Sequence, residues 1–577
     1  MLYQLIEQRV RSAVANVLPD AELSGVQVRP CPDPKFGDYQ TTSLMSLAKE
    51  RKRNPRQLAT EVVATLDVHE WCEPVEIAGA GFLNFRLRAE ALAETLQAAS
   101  QGQHLFFQKT KQPRVIVVDF SSPNVAKPMH VGHIRSTILG DSLARTLRLL
   151  GHRVITDNHI GDWGTQFGKL LVGWKQQLDR AALQSDPIGE MERLYKSINA
   201  ASANDPALLE HARQELVKLQ EGDPENLRIW TEMIALSQVQ FETIYERLGV
   251  RFDHSLGESF YNPRLKQVVQ ELQQKEIARE SEGAMAVFFD DLPQLKEHPA
   301  LIRKSDGAAN YTTTDLATLA HRLEQWKPDE IVYVTDGRQQ LHFQQLFAIF
   351  RRWHPEARLK LAHVWFGSIL GEDGRPFKTR SGETVKLADL LDEAEERAFQ
   401  TVSEKNPDLP EAQRHAIARV VGLGAVKYAD LLPNRQSDYV FSWEKMLALH
   451  GNTAPYLQYA YARIRSIFRK AGADAVSPAA PDAAAPFSPS APEEIALAKH
   501  LLNFGLVLEA VAEEYRPNFL CNYLSELAGV FARFYEQCPA LKAEPQERRL
   551  RLALCDLTAR VLKQGLELLG IETLELM

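Results

Sequence analysis

The sequence predicts an α/β fold built from several domains, and three observations carry that prediction. Val115-Ile116-Val117-Val118 is a continuous apolar run, the character of a central parallel strand covered on both faces. A loop, a helical pattern and a second short apolar run, Val154-Ile155-Thr156, follow it in strand–loop–helix–strand order, which implies a parallel sheet with ligands at the carboxyl ends of its strands. The chain of 577 residues is also too long for one core. The middle, 109–384, reads as a Rossmann-type catalytic domain, set between an N-terminal α+β domain at 1–108 and an all-α domain at 385–577.

In chain order, Leu5, Val10, Val14 and Val17 fall on one face of a first helix, and 42–66 continues the helical periodicity. Pro30-Cys31-Pro32-Asp33-Pro34 and Gly79-Ala80-Gly81 are turns, and Val75 to Ile77 and Phe82 to Leu87 alternate as half-buried strands. Leu139, Leu143, Leu147 and Leu150 lie at helical spacing, with Gly151 as the stop. Residues 175–255 read as a charged helical insertion. Strand patterns return at Ala286 to Phe289, Glu330 to Val334 and His363 to Phe366. Beyond 385 the pattern is helical, broken by an Ala/Pro/Ser-rich surface loop at 472–492.

Composition narrows the function classes. An apolar share of 45% and a charged share of 25% are those of soluble globular proteins. No apolar run comes near the roughly 20 residues of a membrane span. The start, Met1 to Arg9, lacks the pattern of a secretory leader, so a cytoplasmic location is expected. The five cysteines form no Cys-x-x-Cys pair, which predicts buried thiols rather than a zinc site or disulfides. A formal charge of −8 argues against a nonspecific nucleic-acid coat. Local basic patches remain at Lys49 to Arg56 and at Arg463, Arg465, Arg469 and Lys470.

The chemistry concentrates at Ser121-Ser122-Pro123-Asn124-Val125-Ala126-Lys127-Pro128-Met129-His130-Val131-Gly132-His133. A loop between strand and helix with two histidines around a glycine suits ATP phosphates. The imidazoles can donate to phosphate oxygens as charge redistributes, Gly132 leaves backbone open to an adenine ring, Lys127 adds positive charge, and the helix N-terminus is expected to offer free N–H groups.

Ser122 to His133 resembles the nucleotide-binding motif of class I aminoacyl-tRNA synthetases in its arginyl form. Asn158-His159-Ile160-Gly161-Asp162-Trp163-Gly164-Thr165-Gln166-Phe167-Gly168 is similar to that family's next block. So are Gly257-Glu258-Ser259, Tyr311-Thr312-Thr313-Thr314-Asp315, Gly451 to Tyr456 and, near the start, Phe36 to Gln40. The resemblance implies an arginine–tRNA ligase using ATP with Mg²⁺ carried by the nucleotide and no metal held by the protein. It implies tRNA(Arg) and arginine as partners, no membrane or DNA partner, and a monomer. His130, His133 and Lys127 become the catalytic set, and His130, Gly132, His133, Lys378 and Arg380 the ATP contacts. Tyr311 and Asp315, with Gln339, would hold the guanidinium, a planar cation that demands matching acceptors. Asp119, Asn124 and His159 would hold the α-amino and carboxylate groups.

The family's second lysine-rich signature is degenerate here, at Gly374 to Gly382, which moves weight onto Lys127. The same resemblance makes 1–108 a tRNA-elbow domain, with Phe36, Tyr39, Phe82 and Asn84 as candidate base contacts. It makes 385–577 an anticodon-binding domain, with Tyr456, Gln458, Tyr459, Arg463 and Arg465 near RNA. A small-molecule ligase of the same chemistry would need neither flank. A tRNA-binding paralogue without activation would not need His130, His133, Lys127, Tyr311 and Asp315 together.

Overall fold

In the computed structural model, residues 1–378, 384–471 and 487–577 are described, and the chain forms two compact units. Arg380 and most of the loop expected at 472–492 lie outside the described residues.

One unit joins Met1–Lys109 to Ala448–Glu567 and Glu572–Met577. Its first helix, Leu2–Val17, buries Leu2, Tyr3, Ile6, Val10, Ala13 and Val14. Leu5, expected on that face, is 39% exposed, because Ile6, four residues before Val10, occupies the inward row instead. An antiparallel sheet follows, in the order Arg29–Pro30, Tyr39–Thr41, Phe82–Phe85, Glu76–Ala78. Helices Ser43–Glu50, Pro55–Thr65 and Ala89–Ser100 accompany it. The chain's two ends are fastened within this unit: Tyr3 Oη and Gln4 Nε2 donate to Glu509 at 2.8 and 2.6 Å, and Lys499 pairs with Asp38 at 2.7 Å. No spacing rule in the sequence links residues so far apart.

Among the described residues one segment, Pro492–Glu514, is long and apolar enough by composition to cross a membrane, although Glu493, Glu494, Lys499, His500 and Asn503 interrupt it and no continuous apolar run of that length forms. It is two helices, Pro492–Leu502 and Phe504–Glu514, broken at Asn503, and Leu497, Leu501, Leu508 and Val511 are buried in the unit's core. Cys72, Cys521, Cys538 and Cys555 are buried free thiols and Cys31 is half-buried.

The second unit is Thr110–Leu447 with Leu568–Ile571. Four parallel strands lie in the order Lys360–His363, Glu330–Tyr333, Val115–Asp119, Arg153–Asp157. The strand pattern near Ala286 belongs elsewhere, to a separate antiparallel sheet of Arg279–Ser281, Ala284–Val287 and Ala300–Arg303. The expected strand at His363 ends there, since Lys360–His363 is the paired segment.

Helix Val131–Leu149 runs between the first two parallel strands, with Leu139, Leu143 and Leu147 buried and Gly151 at a positive φ of 92° after its end. The insertion is helical as expected, from Gln166–Gln177 to Pro224–Leu248. Three of its helices begin alike: Asp186, Asp205 and Asp223 each accept backbone N–H groups in front of a proline in the first turn. Helices Leu387–Lys405, Glu411–Leu431 and Trp443–Met446 pack in this unit, so the helices beyond 385 are shared between two bodies.

Candidate active site

The sheet order fixes where a ligand crevice can open. From Val115–Asp119 the chain goes to the strand on one side, Arg153–Asp157, and then returns to Glu330–Tyr333 on the other. The strand order reverses between Val115–Asp119 and Glu330–Tyr333, whose last residues, Asp119 and Tyr333, are register partners. In open α/β sheets the crevice lies at such a switch point, outside the carboxyl ends.

The double-histidine loop leaves the sheet there. Ser121, Ser122 and Ala126 all hold positive φ, at 75°, 48° and 60°, a strained path for residues with a Cβ. Side chains hold it down: Ser121 N–H donates to Ser136 Oγ at 2.8 Å, Ser122 N–H to Asn158 Oδ1 at 3.0 Å and Ala126 N–H to Ser237 Oγ at 3.0 Å. Asn124 and Val125 pair with Gly161. A Cβ at Gly161 would lie 2.3 Å from Asn124 Oδ1, so only glycine admits that carboxamide.

His130 caps the helix Val131–Leu149. Gly132 N–H donates to His130 Nδ1 and His130 N–H to His133 Nδ1, both at 3.1 Å. Val131 N–H is taken by Val385 O at 3.0 Å and His133 N–H by His130 O at 2.8 Å. The first amides are therefore already occupied, contrary to the expected free N–H groups, and the imidazoles supply the donors in their place. Burial, with the charges of Arg338 and Lys127, lowers the His130 pKa. Burial, with His130 beside it, brings His133 to about 3. Both rings are thus neutral, and since each Nδ1 accepts, Nε2–H is the outward donor of each. Gly132 has a nearer reason than an adenine ring: a Cβ there would meet His130 Cε1 at 2.9 Å.

Positive charge collects around this pair. Lys127 is exposed, its Nζ 5.3 Å from the ring centre of Tyr195 on helix Pro187–Ser202. Arg338, which the sequence did not single out, is held by Asp336 through two hydrogen bonds of 2.9 Å. The degenerate basic loop is tied to the same place, for Lys378 bridges to Thr384 and His130 to Lys386, with Leu387 N–H donating to Met129 O at 2.9 Å.

A group of acids stands by the same strand ends, with Asp315 near enough to Tyr333 to act on its phenol and Glu258 N–H donating to Ile160 O at 3.1 Å. Helix Tyr311–Trp326 carries Tyr311 and Asp315 one turn apart. Asp315 Oδ2 lies 2.6 Å from His342 Nε2 and Oδ1 lies 3.9 Å from His159 Nε2. Tyr311 is 59% exposed and meets the His342 ring edge-on, centroids 4.9 Å apart. Glu258, at the first position of helix Glu258–Tyr261, completes the group. Burial, with Asp315 and then Asp162 beside it, pushes its carboxyl up to about 8. Asp162 is oriented by Ser259, which donates from N–H at 2.8 Å and from Oγ at 2.6 Å. A carboxyl kept neutral by burial and, after it, by two neighbouring acids marks a site that favours an incoming cation. His342 and Glu258 were missed as site residues, although Gly257-Glu258-Ser259 stood out as a motif. Gln339 is exposed at the end of the turn Gly337–Gln339, three residues before His342.

Asp119 does not stand free at its strand end. Its Oδ2 accepts from Arg322 Nη2 at 2.6 Å, and Asp157 Oδ2 accepts from the same atom at 2.8 Å.

In the other unit, the candidate RNA contacts divide. Phe36 is exposed under Lys35, and Phe82 is half-buried. Tyr39 is 2% and Asn84 4% exposed. These two are buried rather than open surface contacts, and on opposite faces of the sheet, since Tyr39 is in register with Phe85 and Asn84 with Gln40. On helix Ala454–Ala471, Tyr459 and Arg463 are exposed and Tyr456 is half-buried, and Arg463 lies over the Tyr535 ring at 4.6 Å. Gln458 is buried with Nε2 donating to Glu572 O at 2.9 Å, and Arg465 Nε is bound to Glu575 at 3.0 Å, so both face the protein's own tail.

Comparison with known proteins agrees with this geometry. The profile described as tRNA synthetases class I (R), catalytic domain, matches residues 95–443. Residues 4–87 match the arginyl tRNA synthetase N terminal domain and 457–577 the DALR anticodon binding domain. The arginine–tRNA ligase of Chromobacterium violaceum is 46% identical over 583 residues, covering 100% of both chains. The solved arginyl-tRNA synthetase of Thermus thermophilus superposes with a TM-score of 0.84 at 28% identity, covering 100% of both chains. That of Plasmodium falciparum gives 0.80 at 27%, covering 100% of this chain and 99% of its own. With a crevice at the switch point, a neutral double-histidine donor pair and full-length likeness to these proteins, the chain belongs to the arginyl-tRNA synthetase family of the class I tRNA synthetases.

Proposed function

We propose that this crevice activates arginine with ATP and passes it to tRNA(Arg), the reaction of an arginine–tRNA ligase. The observation that carries the reading is that the neutral His130–His133 pair and the acid group of Asp315, Glu258 and Asp162 both adjoin the carboxyl ends of one parallel sheet.

In the first step the arginine carboxylate attacks the α-phosphate in line, an O–P bond forms, and pyrophosphate leaves. Catalysis is positioning and charge stabilisation. The Nε2–H groups of His130 and His133 donate to phosphate oxygens, and Lys127 and Arg338 supply positive charge. Lys378 and, outside the described residues, Arg380 complete the phosphate contacts. Mg²⁺ enters with the nucleotide. Tyr311, Asp315 and Glu258 receive the guanidinium, with Gln339 beside them. Asp119, Asn124 and His159 receive the α-amino and carboxylate groups. In the second step a terminal ribose hydroxyl of the tRNA attacks the activated carbonyl, and AMP leaves.

The flanks serve the RNA. The segment 1–108 receives the tRNA elbow through the strand Phe82–Phe85, where half-buried Phe82 lies two residues from Asn84. The helical segment from 448 receives the anticodon stem-loop through Tyr456, Tyr459 and Arg463. The protein acts as a cytoplasmic monomer. Charging assays with labelled amino acids test the reading: arginine, ATP and tRNA(Arg) together give aminoacyl-tRNA, and charging with another amino acid in preference to arginine overturns it.

A further inference from the structure

Asp119 and Asp157 are register partners at the carboxyl ends of adjacent parallel strands. Two carboxylates in that relation repel unless a cation stands between them. Arg322, 0% exposed, is that cation, and its single Nη2 donates to both, at 2.6 Å to Asp119 Oδ2 and 2.8 Å to Asp157 Oδ2. Its guanidinium carbon lies 5.4 Å from the centre of the Tyr333 ring, the residue in register with Asp119 on the other side.

The charges of this group do not cancel. Two acids face one guanidinium, and the outer oxygens are poorly served. Asp119 Oδ1 receives only a long 3.3 Å contact from Ser122 Oγ, and Asp157 Oδ1 is buried without a hydrogen-bond partner among the described residues. A second cation is wanted at the crevice end of the group. Arg322 also sits on helix Tyr311–Trp326, which carries Tyr311 and Asp315. Seven residues separate Asp315 from Arg322, about 10 Å along the axis. One rigid helix therefore places a guanidinium clamp at its start and steers Asp119 from its far half.

We infer that Arg322 is a positioning residue for arginine activation: with Asp157 it fixes the rotamer of Asp119 and leaves one uncompensated negative charge for the substrate's α-ammonium. This rests on the reading that Asp119 holds the α-amino group.

The test uses the full-length enzyme with tRNA. It compares the KM for arginine with the inhibition constant of 5-guanidinopentanoate, which has the guanidinium and carboxylate but no α-amino group. Arg322→Lys keeps the charge but its ammonium falls one bond short of the Nη2 position between the two acids, and Asp157→Asn removes the surplus charge while keeping the bridge. Each is expected to raise the arginine KM about tenfold or more, with the ATP KM and the analogue's inhibition constant within about twofold of wild type. Thermal unfolding of each variant checks the fold, and Asp157→Asn carries the test if Arg322→Lys does not fold. Equal weakening of arginine and the analogue would mean a purely structural role and overturn the inference. So would an unchanged ratio in both variants while Asp119→Asn lowers the preference for arginine. An unchanged ratio in Asp119→Asn itself would instead overturn the assignment of Asp119 to the α-amino group.

Discussion

Glu258 is the residue on which the pH behaviour of the crevice turns. Its carboxyl, ordinarily near 4.5, is pushed to about 8 by burial and by Asp315 and Asp162. The folded state keeps a proton that the unfolded chain releases above about 4.5, so this group lowers the stability of the ligand-free protein as pH rises from about 4.5 to about 8. Glu258→Gln should flatten that fall, which thermal unfolding across the range will show. A guanidinium reverses the preference. Arginine binding at pH 7 should expel close to one proton, and affinity should rise about tenfold per pH unit up to about 8. Calorimetry in buffers of different ionisation enthalpy measures the proton count, and a count of zero contradicts the placement of Glu258 against the guanidinium. Asp315→Asn leaves that guanidinium without its partner and should cost about 3–5 kcal/mol in arginine kcat/KM, roughly 150-fold to a few thousandfold. The double-histidine loop was legible in the sequence because its chemistry is contiguous. Arg322, Asp157, His342 and Glu258 were not, because they reach the crevice from separate segments that only strand register and helix packing bring together.

Among the elements, the helical insertion shows what capping and a buried charge achieve. Glu215, 2% exposed, accepts from Lys175 Nζ and Lys218 Nζ at 2.7 Å and from Asn226 Nδ2 at 2.9 Å. Burial alone would raise its carboxyl, but these hydrogen bonds prevail and bring it to about 2. Its stabilisation is full above about 4.5 and is lost as pH falls from there towards about 2. Glu215→Gln should destabilise the protein by about 1–3 kcal/mol at pH 7, since Lys175 remains partly exposed. Denaturant unfolding measures the loss, which should shrink as the pH falls towards 3. The helical character of this region followed from periodicity. Its three Asp-Pro starts were equally legible signals of where helices begin. The small sheet around Ala284–Val287 was not, because a short apolar run looks the same in a parallel and an antiparallel setting.

For the whole molecule, the α/β core and its flanks were readable from pattern changes along the chain, but the assembly of the first and last segments into one unit was not. That union rests on pairs such as Tyr3–Glu509 and Lys499–Asp38, separated by hundreds of residues. The helices after 385 likewise form one continuous pattern in sequence yet divide between two bodies. At this scale the prediction concerns coupling: activation should depend on tRNA, the partner proposed for both flanks and for the crevice.

The direct measurement is ATP–pyrophosphate exchange with and without tRNA(Arg). Exchange that requires arginine and is seen only when tRNA is present is the predicted result. Exchange without tRNA would contradict the coupling alone. Exchange driven by another amino acid and not by arginine would contradict the central claim that His130, His133, Asp315 and Glu258, at the carboxyl ends of one sheet, form an arginine-activating site.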